Sequence, residues 1–166
     1  MEVWHRLKKS PMAVVGLILI AVLFIMAIFA NVIAPFTYSK QNLMHAFESP
    51  SSAYIFGTDE FGRDIFSRIV YGARISLQVG FIAVGISMFI GGFLGAVAGY
   101  YGGKIDNTLM RVMDILLSIP SILLAIAIAA SLGPGLFNLM IAVGISAIPN
   151  YARIVRGSVL SIRGQE

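Results

Sequence analysis

The sequence predicts an all-α integral membrane protein, a polytopic helical bundle. Charged residues make up only 12% of the 166-residue chain and hydrophobic residues 58%, whereas a soluble domain usually carries about 25% charged residues. Several uncharged stretches are longer than about 18 residues, which is typical of membrane-spanning helices. A soluble bundle this apolar would have no way to cover its surface.

The net charge of +4 is attributed to basic residues that flank the spans and set their orientation. Nucleic-acid binding would require a Lys/Arg cluster interleaved with aromatic residues, and the sequence has none, so no nucleic-acid partner is expected. The chain has no Cys, which excludes disulfides, thiolate metal sites and cysteine nucleophiles.

Residues 1–34 are predicted to form a cytoplasmic N-terminus and an anchor transmembrane helix. Arg6, Lys8 and Lys9 precede an uncharged stretch over 12–34. At about 1.5 Å per residue this stretch is about 34 Å long, enough to cross a hydrocarbon core of about 30 Å. A cleaved signal peptide starts similarly, but its apolar region is only about 7–15 residues long, so an uncleaved anchor is favoured.

Residues 35–74 are predicted to form an external loop that ends in a short amphipathic helix lying along the membrane surface. The stretch from Phe56 to Arg74 is the only long interruption in the apolar chain. Asp64 is expected to cap the short helix and to pair with Arg68, since an acid four residues before a base is the favourable order. The expected external junction consists of Asp59, Arg63, Asp64, Arg68 and Arg74.

A second span is predicted over about 75–101, and its second half is rich in small residues. Gly91, Gly95 and Gly99 are spaced four residues apart, and Gly92 starts a second row beside them. Such spacing allows another helix to approach closely, because van der Waals contact must replace the hydrophobic drive that is absent in lipid. These four glycines are therefore expected to be helix-packing positions. Their partner is not specified by the sequence.

Two further spans are predicted over about 112–132 and 136–152. Pro120 is expected to kink the first of them, and Gly133-Pro134-Gly135 separates the two. Basic residues follow the last span. The expected cytoplasmic joint and coupling approach consist of Asp106, Arg111, Asp114, Arg153, Arg156 and Glu166.

The distribution of Lys and Arg predicts that the N-terminus is cytoplasmic. Segments 1–11, 102–114 and 153–166 together hold eight Lys/Arg, whereas 35–74 and 133–135 together hold four. Four spans with the N-terminus inside place the richer set in the cytoplasm, as the positive-inside rule requires.

No catalytic or metal motif is recognised. P-loop and nucleophile-elbow spacings are absent, and His5 and His45 have no ligand partner at helical spacing. Asp59, Glu60 and Asp64 could form a cation site, but caps and ion pairs with neighbouring arginines are favoured. No ionisable residue lies at mid-span, which favours a scaffold that passes a solute, with the energy supplied elsewhere, over a proton-coupled carrier.

Three sets of residues carry a family resemblance that covers essentially the whole chain. They are FGTDEFGRDIFSR at 56–68 with YGARISL at 71–77; GYYGG at 99–103 with Asp106, Arg111, Asp114 and SIP at 118–120; and PNYAR at 149–153 with Arg156-Gly157. Together they resemble the C-type permease subunit of bacterial and archaeal dipeptide, oligopeptide and nickel ABC importers.

The resemblance implies a permease of the type I ABC importer kind with six spans, of which four are present here. Residues 75–166 would form the N-terminal part of the permease core and the start of the cytoplasmic coupling region. Implied partners are a homologous B-type permease, two cytoplasmic ATPases that bind ATP and Mg, an external solute-binding protein and the lipid bilayer. The chain itself is expected to bind no cofactor or metal, to catalyse no reaction, and to lie in the cytoplasmic membrane.

The family carries an EAA-type coupling motif shortly after the fourth span, and the sequence stops at Glu166 before it. We therefore expect a truncated chain or a fragment. The resemblance leaves three functions open: a peptide permease, a nickel or other small-solute permease, and a truncated membrane scaffold that does not transport.

Overall fold

The computed structural model describes residues 10–164, and every regular element in this part of the chain is helical. The all-α prediction is therefore confirmed. A single isolated antiparallel bridge joins Thr58 to Asp64. The helices are α1 (Pro11–Ile28), α2 (Ala30–Ile33), a 3-10 turn (Leu43–His45), α3 (Ile65–Tyr101), α4 (Gly103–Leu117), α5 (Ser121–Leu132) and α6 (Leu136–Arg163).

Three of these helices, α1, α3 and α6, are long and apolar enough to cross a membrane. A fourth crossing is available from α4 and α5 together, which are bent by 88° at the break between them. The kink expected at Pro120 in the span over 112–132 is thus a full break in the helix. Pro120 lacks an N–H group and pushes the preceding residue out of the helical conformation, so α4 ends at Leu117 and α5 begins at Ser121.

Helix α3 differs from the expected arrangement of a surface helix followed by a separate span. It runs unbroken from Ile65 to Tyr101, about 55 Å at 1.5 Å per residue. No proline interrupts this stretch, and the charge of Arg74 changes the surface of the helix without breaking its backbone.

Helix α6 is also longer than expected, because it continues past residue 152 to Arg163 with Pro149 inside it. An interior proline removes one backbone hydrogen bond and usually kinks or breaks a helix. Pro149 is fully buried, so its packing compensates for the lost bond and holds the helix together.

The described chain divides into two compact units, one ending at Gln78 and the other beginning at Val79. In the first unit, backbone hydrogen bonds order the segment between α2 and α3. Asn42 N donates to Phe61 O, and Thr58 N donates to Glu48 O. Gly62 has a φ of +67°, and a Cβ there would overlap the carbonyl of Asn42, so the turn requires glycine.

In the second unit, Met113, Ile148 and Ala152 form a buried cluster that joins α4 to α6, and α5 packs against α6. The second half of α3 runs parallel to α6. A Cβ added at Gly144 would lie 2.9 Å from Ile86 Cβ, and one added at Gly99 would lie 2.9 Å from Val159 Cβ. Residue numbers therefore increase in the same direction along both helices.

Parallel pairing has a consequence for the path of the chain. If α3 and α6 both cross the membrane in the same direction, the intervening chain must return across it. Within the described residues, only the bent pair of α4 and α5 lies between them. A crossing by this pair would correspond to the third of the four spans that the sequence predicts, in a broken form.

Candidate functional site

The second unit contains a row of small residues along one face of α3. Ala83, Ser87, Gly91, Gly95 and Gly99 follow at intervals of four, and all five are buried. The row is about 24 Å long at 1.5 Å per residue. Small side chains at this spacing let two helix backbones approach closely.

Two of these positions leave no room for a side chain, because backbone atoms of α6 occupy the space. A Cβ at Gly91 would lie 2.6 Å from the carbonyl oxygen of Ile148. A Cβ at Gly95 would overlap the carbonyl of Ala152. Both obstacles are backbone atoms, which do not move aside as a side chain would. Gly92 lies beside this row, and a Cβ there would meet Val155 at an ordinary 3.9 Å.

Two parts of this contact were not predicted from the sequence. The predicted row starts at Gly91, although Ala83 and Ser87 continue the same spacing of four toward the N-terminus. It also missed Gly144 on α6, where a Cβ would lie 2.9 Å from Ile86 Cβ. The spacing of four could have revealed the first part, but a lone glycine carries no signal for the second.

A bidentate ion pair joins α4 to α6. Arg156 Nε lies 2.5 Å from Asp106 Oδ1, and Arg156 Nη2 lies 2.6 Å from Asp106 Oδ2. The Asp106 side chain is 11% exposed and the Arg156 side chain 31%. Two parallel charge-assisted bonds fix the geometry as well as the distance. The carboxylate also lies in the first turn of α4, where the helix dipole favours a negative charge.

A second ion pair lies on the same two helices but is open to solvent. Arg153 Nη2 lies 2.6 Å from Asp114 Oδ1, with side chains 57% and 62% exposed. Exposed pairs of this kind contribute only about 0–1 kcal/mol. Four of the six residues of the expected coupling approach are thus brought together in two pairs.

The other two residues of the expected coupling approach stand apart from these pairs. Arg111 lines an open cavity of about 630 Å³ along α4, together with Asn107 and Asp114. Glu166 lies outside the described residues.

Arg163 makes a contact that sequence reasoning did not anticipate. Its Nη1 donates to the carbonyl oxygen of Tyr100, 3.0 Å away, at the C-terminal end of α3. A guanidinium is favourable there because the carbonyls at the end of a helix lack partners and carry partial negative charge. The last turn of α6 is thereby tied to the last turn of α3.

In the first unit, Asp59 is the centre of the expected external junction. Its Oδ2 accepts from Arg63 Nε at 2.7 Å and from Arg68 Nη1 at 2.6 Å. Partial burial raises the pKa of Asp59, but hydrogen bonds from Arg63 and from the Phe61 backbone outweigh it and lower the pKa from 3.8 to about 2. Asp59 therefore stays ionised through the physiological range.

The expected ion pair between Asp64 and Arg68 is wrong, because Arg68 binds Asp59 instead. Asp64 is 5% exposed, and its Oδ2 accepts from the backbone N and the Oγ of Ser67. The carboxylate thus turns back onto the first turn of α3 as a cap. Ser67 Oγ in turn accepts from Phe36 N at 3.1 Å, which joins the loop start to α3.

Arg74 contacts the C-terminal end of α1. Its Nε donates to Ala27 O at 2.9 Å and its Nη2 to Ile28 O at 3.3 Å. The bonded residues are 46 and 47 positions apart along the chain, so no local sequence signal could have indicated the contact. It fixes the end of α1 against α3.

Among residues 10–164, no group of three or more His, Cys, Asp or Glu side chains is placed to hold a metal ion. His45 Nδ1 lies 2.5 Å from Glu48 Oε1, whereas His5 lies outside the described residues. Asp59 and Asp64 have the protein partners described above. The geometry of both units is that of helix packing and ion pairing.

Two protein families match separate regions of this chain. Residues 1–50 match the family described as the N-terminal TM domain of oligopeptide transport permease C. Residues 91–166 match the binding-protein-dependent transport system inner membrane component. The second region contains the glycine row from Gly91 onward and both ion pairs.

The chain also resembles individual curated proteins. It is 50% identical over 99% of its length to the dipeptide transport system permease protein DppC of Alkalihalophilus pseudofirmus, and covers 54% of that protein. It is 42% identical to DppC of Bacillus subtilis, over 99% of this chain and 52% of the relative. It is 44% identical to the oligopeptide transport system permease protein OppC of Bacillus subtilis, over 97% of this chain and 53% of the relative.

The chain spans about half the length of these curated relatives. Identity nonetheless extends over almost all of its own residues, and the two family regions lie at its two ends. Over almost all of its own residues, this chain is therefore similar to dipeptide and oligopeptide transport permease C proteins.

Proposed function

We propose that this chain is a transmembrane permease subunit of an ATP-driven importer and forms part of the translocation pathway for dipeptides or oligopeptides. The observation that carries the proposal is the 50% identity, over 99% of this chain, to a protein named for dipeptide transport. The B. subtilis relatives are named for dipeptide and oligopeptide transport as well. A nickel or other small-solute permease is the alternative within the same family.

The packing of the second unit supports a role in conformational coupling. Gly91, Gly95 and Gly99 hold α3 and α6 in backbone contact, and the Asp106–Arg156 pair ties α4 to α6. A force applied to α4 would therefore move α6 with it. We place this end of the helices, with Arg111, Asp114 and Arg153, on the cytoplasmic side and facing the ATPases.

The first unit supports a role at the external side. Asp59, Arg63 and Arg68 order the loop before α3, and Arg74 fastens α3 to α1. In this proposal α1 is the peripheral anchor and the ordered loop faces the solute-binding protein. The N-terminus lies in the cytoplasm, and the chain lies in the cytoplasmic membrane.

The energy for import comes from partners in this proposal. Two ATPase subunits bind ATP and Mg, and a homologous B-type permease supplies the other half of the pathway. This chain binds no cofactor and performs no covalent chemistry. The solute passes between helices of the two permeases.

Reconstitution tests the proposal. The chain is co-expressed with a B-type permease, two ATPases and a binding protein of a dipeptide importer, and the complex is placed in proteoliposomes. We expect ATP-dependent uptake of a labelled dipeptide that is lost when this chain is omitted, with Ni²⁺ uptake measured in parallel. Dipeptide uptake that persists without the chain would contradict the proposal. Assembly of the complex without any uptake would assign a scaffold role instead.

A further inference from the structure

A cavity of about 440 Å³ lies in the first unit, on the N-terminal part of α3. Its volume falls within the range of small-ligand sites, about 300–1,000 Å³. The proposed function assigns no role to this cavity, although Arg68 and Arg74 of the external junction line it. Its lining consists of Tyr38, Arg68, Tyr71, Gly72, Arg74 and Ile75.

Four of these lining residues form one stripe on α3. Arg68, Tyr71, Gly72 and Ile75 have the i, i+3, i+4, i+7 spacing of a single helical face. The stripe passes from a cation through an aromatic ring to an aliphatic side chain. Apart from its two chain neighbours and the backbone of α3, no described atom lies within 4 Å of a Cβ built on Gly72, which leaves the middle of the stripe open.

Arg74 fixes the depth of the cavity relative to α1. It binds the carbonyls of Ala27 and Ile28, at the end of an uncharged 18-residue helix. Ala27 lies about 24 Å along the axis from Pro11 at 1.5 Å per residue, close to the far boundary of a hydrocarbon core of about 30 Å. Arg68, six residues earlier on α3, lies about 9 Å farther out, at the level of lipid headgroups.

Both arginines keep donors for a ligand. Within the described residues, the Arg68 side chain makes one hydrogen bond, from Nη1 to Asp59, so its Nε and Nη2 are unpaired. Arg74 uses Nε and Nη2 on α1 and keeps Nη1. Asp59 is the one acid bound to Arg68, and it is shared with Arg63. The cavity therefore has two guanidinium groups, those of Arg68 and Arg74, and one nearby carboxylate, which Arg63 also binds. Its net charge is positive.

The two tyrosines match the same depth. The rings of Tyr38 and Tyr71 lie 5.3 Å apart, and tyrosine is enriched where its ring meets the apolar boundary and its hydroxyl meets headgroups. Ile75 is 45% exposed and continues the stripe toward the hydrocarbon. A free anion would leave this apolar end of the cavity uncovered, whereas an acyl chain would cover it.

We propose that this cavity binds the headgroup of an anionic phospholipid, with the phosphate between Arg68 and Arg74 and an acyl chain along Ile75. On the cytoplasmic side of membranes, basic pockets between transmembrane helices take anionic headgroups by charge complementarity, and we apply the same chemistry to this cavity. Such a lipid would reinforce the junction of α1 and α3. The inference rests on the first unit alone and does not depend on transport.

The test uses the full chain in nanodiscs, titrated with phosphatidylglycerol or phosphatidylcholine, with bound lipid counted by native mass spectrometry. We expect phosphatidylglycerol to bind at least about fivefold more tightly, the effect of one cation near an anionic surface. Arg68→Gln should lower phosphatidylglycerol binding by about fivefold, and Arg68→Lys should retain most of it. Arg63→Gln is the matched control, since Arg63 shares Asp59 with Arg68 but does not line the cavity.

Equal binding of the two lipids would overturn the proposal, and so would equal losses in Arg68→Gln and Arg63→Gln. Complete displacement of the lipid by inorganic phosphate at matched concentration would assign the cavity to a free anion, and displacement by a dipeptide would assign it to a solute. Circular dichroism checks that each variant is folded. If Arg68→Gln does not fold, the comparison of the two lipids on the unchanged chain decides the question.

Discussion

Arg156 on α6 and Asp106 on α4, 50 residues apart in sequence, form a bidentate ion pair with both N–O distances between 2.5 and 2.6 Å. Arg153 lies about one helical turn before Arg156 on α6 and binds Asp114. The Asp106–Arg156 pair is half-buried, whereas Arg153 and Asp114 lie mostly in solvent. The same chemistry thus occurs twice between the same helices, in two environments. This duplication allows the effect of burial to be measured directly.

We expect the half-buried pair to be the stronger of the two. A double-mutant cycle with Arg156→Gln and Asp106→Asn should give a coupling energy of about 1–2 kcal/mol, because two charge-assisted bonds are shielded from water. The cycle with Arg153→Gln and Asp114→Asn should give about 0–1 kcal/mol. The free energy of unfolding in mixed detergent micelles is the measurement. Equal coupling energies would show that burial of the first pair has no effect.

Gly95→Ala should destabilise the chain by about 1–3 kcal/mol, because the new methyl group would be forced into the backbone of α6. Gly85→Ala is the control on the same helix, since a Cβ there has no neighbour within 4 Å. Alanine is the better helix former by about 1 kcal/mol, so this variant should be neutral or more stable. Unfolding of both variants in the same micelles decides the matter. A stable Gly95→Ala would contradict the close contact of α3 and α6.

Much of this arrangement was predictable from local signals. Long uncharged stretches predicted the all-helical membrane class, and the spacing of Gly91, Gly95 and Gly99 indicated a close helix contact. Pro120 marked the break between α4 and α5 because a proline effect is local. Each of these signals is carried by residues within a few turns of one another.

What local reasoning missed depends on distant neighbours. The spacing of Asp64 and Arg68 predicts an ion pair between them. The Asp64 carboxylate is instead buried and caps α3, and Arg68 binds Asp59. An interior proline such as Pro149 usually kinks or breaks a helix, but its burial keeps α6 continuous. The contacts of Arg156 with Asp106 and of Arg74 with α1 join residues dozens of positions apart. No periodicity encodes such contacts.

The low pKa of Asp59 predicts the pH range over which this residue stops stabilising the loop before α3. Its pKa in the folded chain is about 2 against 3.8 for the free side chain, so the ionised form is bound more tightly in the folded loop. The stabilisation is therefore fully present above about pH 4 and is lost as the pH falls through 2. Titration of the Asp59 carboxyl carbon by NMR should give a midpoint near 2. A midpoint near 4 would contradict the network with Arg63 and Arg68.

The parallel contact of α3 and α6 predicts the side of the membrane on which the turn at Pro134 lies. Arg163 reaches the last turn of α3, so the ends of both helices lie on the same side, and the start of α6 must lie on the other. A reporter active only outside the cytoplasm should be active when fused at Ser51 or at Pro134, and inactive when fused at Lys104. Activity at Ser51 but not at Pro134 would mean that the bent pair of α4 and α5 re-enters without crossing. In that case α6 would run opposite to α3. The contacts of Gly144 with Ile86 and of Gly99 with Val159 require the two helices to be parallel.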